Sequence, residues 1–384
     1  MRFSISLSHH DLARAQTRDE TGGKQRPDAT LGARDRLIAL ARAAEAGGAD
    51  SIWVTEDPEG WDAFSILTLL AMQTSTIRLG TGVTNPLLRH PNQIAAALST
   101  LDIVSNGRAF LGIGRGEPSW YRHGLGMSVP AQPLDGLRRT IELLHAWWLP
   151  PHHVEPIEQP GDDVVFPVRN WERSIQPLAG PSTPSSPPII IAAAGPKALR
   201  LAGEVADGVL FNDLASDEYL GWAVGQVRDS ASAAGRDPGA LSFTYGTRVL
   251  ITDDPDPKIN RLRYTVALIN ALPGMDRQLA GAGFDIPPLI TQIRAILGSD
   301  ALLVSGGGFQ ELRRTGRLDA AAKLVPNALV QRLSVIGPAD HVRIRLDVLS
   351  GLGITGVHVQ LPHVGAAPEG LTARLHNLLT LLSS

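Results

Sequence analysis

Several ionisable or strongly polar residues stand one or two positions after short apolar runs. His9 and His10 follow the run 3–7, Glu56 and Asp57 follow 51–55, and Asn85 follows 77–84. Arg115 and Glu117 follow 109–114, Ala194-Gly195 follow 189–193, and Asn212, Arg248 and His363 close three later runs. Carboxylates at such positions can move protons, and arginine or lysine there can hold an anion. Strand ends are also where any chain turns polar, so each residue taken singly has an equally ordinary reading.

Two segments carry more. Ala193-Ala194-Gly195-Pro196-Lys197 ends an apolar run, turns at Gly195 and places Pro196 at the first position of a helix. The free N–H groups of that helix start favour an anion, and Lys197 adds charge. An ordinary strand–helix corner would have the same look. Gly112-Ile113-Gly114-Arg115-Gly116 invites a dinucleotide reading. The Rossmann fingerprint, however, has Gly-x-Gly-x-x-Gly opening directly into a helix, and here Glu117-Pro118 follows. A strand kept slim so that a flat group approaches its backbone is the better expectation.

Other chemistries are excluded or weak. There are no cysteines, which removes disulfides, thiolate nucleophiles and iron–sulfur clusters. His9 and His10 are adjacent on a strand, so their side chains leave by opposite faces and cannot share one metal. No metal site is expected. The net charge of −3 argues against a nucleic-acid partner. No apolar run approaches the ~20 residues of a membrane span, and the N-terminus lacks a signal sequence, so a soluble cytoplasmic protein is expected.

The elements that must position these residues alternate. Strands are expected at 3–7, 51–55, 77–84, 109–114, 189–193, 209–211, 241–251 and 357–361. Helices are expected at 33–47, 62–74, 91–105, 134–149, 196–206, 217–234, from 338, and at the C-terminus. Eight strands alternating with helices predict a parallel sheet, closed as a (β/α)8 TIM barrel. An open doubly wound sheet is the competing arrangement. Proline-rich 150–188 and mostly helical 253–335 read as insertions, and the 384 residues as a single domain.

Beyond the pattern, Leu79-Gly80-Thr81-Gly82-Val83-Thr84-Asn85-Pro86, Arg89-His90-Pro91, Ser105-Asn106-Gly107-Arg108 and Leu111 to Glu117 resemble the luciferase-like oxidoreductases. Ala193 to Lys197, with Leu199 to Glu204 and Ala206-Asp207-Gly208, is similar to that family's second signature. The family consists of barrels that bind FMN or the deazaflavin coenzyme F420. The version Thr81 to Pro86 is most similar to the deazaflavin branch, especially methylenetetrahydromethanopterin reductase.

That resemblance implies a cis Gly82–Val83 peptide forming a bulge behind the deazaflavin ring. It also implies contacts from Asn85, Glu56, Arg115, Gly116 and Asn212, and a cofactor phosphate or ring edge at Ala194, Gly195, Pro196 and Lys197. Glu117 would be an acid/base or orienting group. Related enzymes usually carry Asp-His where this chain has Glu56-Asp57, so Asp57 would have to replace a histidine. The implied function is hydride transfer between F420 and a small organic substrate, by an enzyme that is often dimeric. The alternatives are an FMN-dependent monooxygenase and a non-catalytic deazaflavin-binding barrel. A trans Gly82–Val83 bond would favour the FMN branch.

Overall fold

The computed structural model describes residues 1–7, 27–56, 60–117, 121–122, 125–128, 132–148, 186–305, 307–361 and 369–383. The expectations on His9, His10, Asp57, His363 and most of the 150–188 insertion lie outside these residues.

Strand and helix alternate as β1 (Arg2–Leu7), α1 (Pro27–Ala46), β2 (Ser51–Val54), α2 (Ala63–Ala71), β3 (Arg78–Thr81), α3 (Pro91–Val104), β4 (Ala109–Ile113) and α4 (Pro133–Trp148). Then follow β5 (Ile189–Ala192), α5 (Pro196–Val205), β6 (Gly208–Phe211), α6 (Asp217–Ala233) and β7 (Ser242–Ile251). A helical stretch comes next: α7 (Asp256–Asn270), a 3-10 turn (Met275–Leu279), α8 (Ile286–Leu297), α9 (Ser299–Val304), α10 (Phe309–Arg314), α11 (Leu318–Leu324) and α12 (Asn327–Leu333). The chain ends with β8 (Ile336–Gly337), α13 (Ala339–Gly351), β9 (Gly356–Val359) and α14 (Glu369–Ser383).

The strands hydrogen-bond in the order β6-β5-β4-β3-β2-β1-β9-β7, and β6 also pairs with β7. The ring of eight is therefore closed, and the fold is a (β/α)8 barrel as expected. β8 was not expected. It pairs in parallel with the far end of β7, through Leu250–Ile336 and Ile251–Gly337. Two residues flanked by helices leave no alternating pattern to read.

The chain packs as two compact units. One comprises the described residues within Arg2–Arg115, Pro130–Ile191 and His358–Ser384. In it Phe3, Ile5 and Leu7 are buried on one face of β1, while Ser4 on the opposite face shares a 2.8 Å hydrogen bond with Ser51 of β2. Period-two alternation puts Trp53 on the face of Ser51. The Trp53 indole donates to the Ser51 hydroxyl at 3.0 Å and meets Phe110 edge-on at 4.5 Å between ring centres. Trp53 thus packs among strand-borne side chains.

The second unit comprises the described residues within Gly116–Val129 and Ala192–Val357, with Met1. The helices from α7 to α12 bury a core of their own, in which Val266, Leu279, Ile293, Leu329 and Leu333 are closed to solvent. The described residues of 253–335 are mostly helical, as expected, and form a packed layer.

Candidate active site

The carboxyl ends of β2, β3 and β4 carry the first set of candidate residues. β3 stops at Thr81, three residues before the expected end. The Gly82–Val83 peptide is cis, as the resemblance implies. Gly82 still donates its N–H to Val54 at 2.7 Å, and Thr84 then donates to Gly112 at 2.9 Å and accepts from Gly114 at 2.9 Å. The chain thus leaves the ladder for two residues and rejoins β4, forming a bulge. Thr81 ties its hydroxyl to the Gly112 carbonyl at 2.6 Å, and Thr55 reaches the Gly82 carbonyl at 3.3 Å.

The glycines here have a different reason from the one expected. A methyl group at Gly112 would lie 2.0 Å from the Thr81 carbonyl oxygen, and one at Gly80 would lie 2.4 Å from the Phe110 carbonyl oxygen. At Gly82 it would press on the Trp53 side chain at 2.8 Å. The space beside these strands is filled by neighbouring protein groups. The reading that Gly112 leaves room for a flat ligand is corrected: it leaves room for the bulge.

Glu56 is 7% exposed and heavily engaged. It accepts a hydrogen bond from the Thr84 hydroxyl and one from Arg89 Nε at 2.7 Å. Arg89 also pairs with Asp62, whose carboxylate accepts the Ser65 N–H at 2.7 Å and so caps α2. Although burial alone would raise the Asp62 carboxyl, that N–H and Arg89 bring it below its ordinary range. Asn85 is buried, and its side-chain oxygen accepts from the N–H groups of Leu87 and Leu88 at 3.0 and 3.2 Å. That oxygen shapes the turn after the bulge. Arg115 is exposed.

The second set lies at the start of α5 and after β6. Gly195 is exposed and extended, and its side-chain direction opens on empty space. No side chain caps α5, Pro196 occupies its first turn, and Lys197 is exposed beside it. The Tyr219 hydroxyl donates to the Ala194 carbonyl at 2.6 Å and fixes this corner. Uncapped N–H groups, a nearby ammonium and room at Gly195 are chemistry that fits a phosphate. Gly116 has φ +77°, and a methyl group there would meet the Tyr121 ring at 2.7 Å, so only glycine fits. Glu117 is half-buried.

Asn212, also half-buried, precedes a carboxylate that sequence reading missed. Burial raises the Asp213 carboxyl above its usual range, against the pull of Arg248 and of the Leu214 N–H, which Asp213 accepts at 2.8 Å. Leu214 has φ +60°, a conformation uncommon for a bulky side chain. Thr84, Arg89 and Tyr219 were also given no role in the sequence reading. Arg89 had a signal, because a carboxylate buried after β2 needs a cation. Asp213 and Tyr219 had none. Among the described residues no group of three or more acidic or histidine side chains could hold a metal ion, and no helix is long and apolar enough to cross a membrane.

The family model for luciferase-like monooxygenases matches residues 1–356. A 5,10-methylenetetrahydromethanopterin reductase from Methanolobus tindarius is 30% identical over 322 residues, covering 84% of this chain and 89% of that protein. A putative coenzyme F420-dependent oxidoreductase of Mycobacterium tuberculosis is 27% identical over 325 residues, covering 82% and 88%. Among solved structures, the coenzyme F420-dependent tetrahydromethanopterin reductase from Methanopyrus kandleri superposes with a TM-score of 0.67 at 24% identity, covering 97% of each chain.

Proposed function

The chain belongs to the luciferase-like monooxygenase family, and from that premise we propose that it is an oxidoreductase moving a hydride between coenzyme F420 and a small organic substrate. The observation that carries this reading is the bulge after β3, held between Glu56 and β4 by Thr84. It is built from the segment Thr81 to Pro86, in which the resemblance to the deazaflavin branch is strongest. The reductase and the F420-dependent oxidoreductase among its relatives support the same cofactor.

When bound, the deazaflavin supplies the two-electron, hydride-carrying chemistry. The chain's own residues bind and orient. Gly82, Val83 and Asn85 would support the ring, with Glu56 accepting a hydrogen bond from it. Ala194, Gly195, Pro196 and Lys197 would hold a phosphate through backbone N–H groups and the Lys197 ammonium. Arg115, Gly116 and Asn212 complete the binding set, and Glu117 and Asp57 are the acid/base candidates. We further propose that residues 1–384 act as one luciferase-like domain, in the cytoplasm, as a homodimer.

Turnover tests the reading. The purified protein with reduced F420 and a panel of small unsaturated or carbonyl substrates should oxidise the cofactor anaerobically. Consumption of oxygen with reduced FMN, and no use of F420, would favour the second reading, a flavin-dependent monooxygenase, which the family description supports. Unchanged turnover after Glu117→Gln would remove Glu117 from the mechanism, and unchanged turnover after Asp57→Asn as well would support a barrel that binds without these groups acting.

A further inference from the structure

Glu56 opens the connection between β2 and α2, and Asp62 closes it as the cap of α2. Arg89, from the connection between β3 and α3, touches both. Its Nε donates to Glu56 Oε1 at 2.7 Å and its Nη2 lies 2.5 Å from the same oxygen. That Nη2 also pairs with Asp62 Oδ2. The guanidinium lies over the Phe64 ring of α2, 5.0 Å from its centre. Glu56 has a second ligand, the Thr84 hydroxyl, one residue beyond the Gly82–Val83 peptide. Neither Lys nor a neutral residue could reproduce the planar fork that reaches two carboxylates and an aromatic face together.

We propose that Arg89 is a positioning residue. It clamps both ends of the 56–62 connection and, through Glu56, fixes Thr84 and the bulge on which the flat ring of the cofactor rests. The physical reason is that Glu56 is nearly closed to solvent, its side chain 5% exposed. A carboxylate so placed without its cation either swings out to water or drags its surroundings with it. Either movement takes away the partner of the Thr84 hydroxyl. Thr84 is itself fully buried, so its hydroxyl has no water to turn to. The clamp therefore makes the shape of β3's end depend on a residue that need not touch the cofactor.

The proposal rests on the F420 reading, and its test separates the two. Wild type, Arg89→Met, Arg89→Lys and the double variant Arg89→Met/Glu56→Gln are compared by F420 fluorescence titration. In parallel, amide hydrogen exchange of the cofactor-free proteins is read over residues 60–66 and 84–88. The expected result is a Kd raised about tenfold in Arg89→Met, equivalent to about 1.4 kcal/mol. Arg89→Lys should recover part of the loss, and in the cofactor-free protein the double variant should exchange less than Arg89→Met because no unpaired charge stays buried. Exchange in both segments should rise in Arg89→Met although they belong to different connections. If wild type does not bind F420, the cofactor reading fails, and coupled exchange alone upholds or overturns the clamp. If Arg89→Met folds with unchanged Kd and unchanged exchange, or if it loses only thermal stability, Arg89 is not a positioning residue.

Discussion

Gly112 has no room for a single added carbon. Its missing side chain is the space that the Thr81 carbonyl occupies, 2.0 Å from where a methyl group would sit. Gly112→Ala must push the bulge off β4, and overpacking of this kind costs about 1–3 kcal/mol. The expected outcome is a destabilised protein in urea unfolding, with weaker F420 binding than the stability loss alone explains. Asp213 gives a prediction of opposite sign. Because burial raises its carboxyl in the folded state, the native protein holds that proton to higher pH than the unfolded chain does. Stability is then lost as pH rises from about 3.9, the ordinary value, through the raised folded value. Asp213→Asn removes the loss, so its stability relative to wild type should grow with pH across that window in urea unfolding. A difference independent of pH would contradict this. At this scale the sequence revealed residue types but not their partners. Glu56 was legible as a polar residue after a strand, whereas its pairing with Arg89, 33 positions away, depends on how two connections meet.

At the scale of elements, most boundaries followed from pattern. Pro91 and Pro196 mark the starts of α3 and α5 as expected, because proline at the first turn sacrifices no helical hydrogen bond. The end of β3 was misjudged, since the alternating residues 77–84 look like one strand and only three-dimensional pairing shows that the ladder breaks after Thr81. Helix α6 shows how a start is held by tertiary contact as well as by local capping. Its cap, Ser216, is 1% exposed, accepts the Tyr219 N–H at 3.1 Å and donates to the Ala280 carbonyl at 2.6 Å. Ser216→Ala loses the cap and the hydrogen bond to the Ala280 carbonyl, a cost of about 1 kcal/mol. It should lower the thermal midpoint and, because Tyr219 of the same turn steadies Ala194, also weaken phosphate-bearing ligands. At the α5 start itself, Lys197→Met should weaken F420 binding and make it less dependent on salt.

For the whole molecule, the closed ring of eight parallel strands was legible because alternating strands and helices leave few other topologies. The two-residue β8 and the separate core of α7 to α12 were not, because short helices packed on one another show no period that distinguishes a layer from a long connection. The missing cysteines exclude thiol and iron–sulfur chemistry, and the proposed function rests on a bound organic group. Such a group stabilises the fold by mass action, so F420 at a hundred times its Kd should add about 2.7 kcal/mol to unfolding. The most direct measurement is equilibrium titration of the purified protein with F420 and, separately, with FMN. The account predicts saturable F420 binding that Lys197→Met and Arg89→Met both weaken, with FMN bound far less tightly. Tight binding of FMN together with no detectable binding of F420 would contradict it.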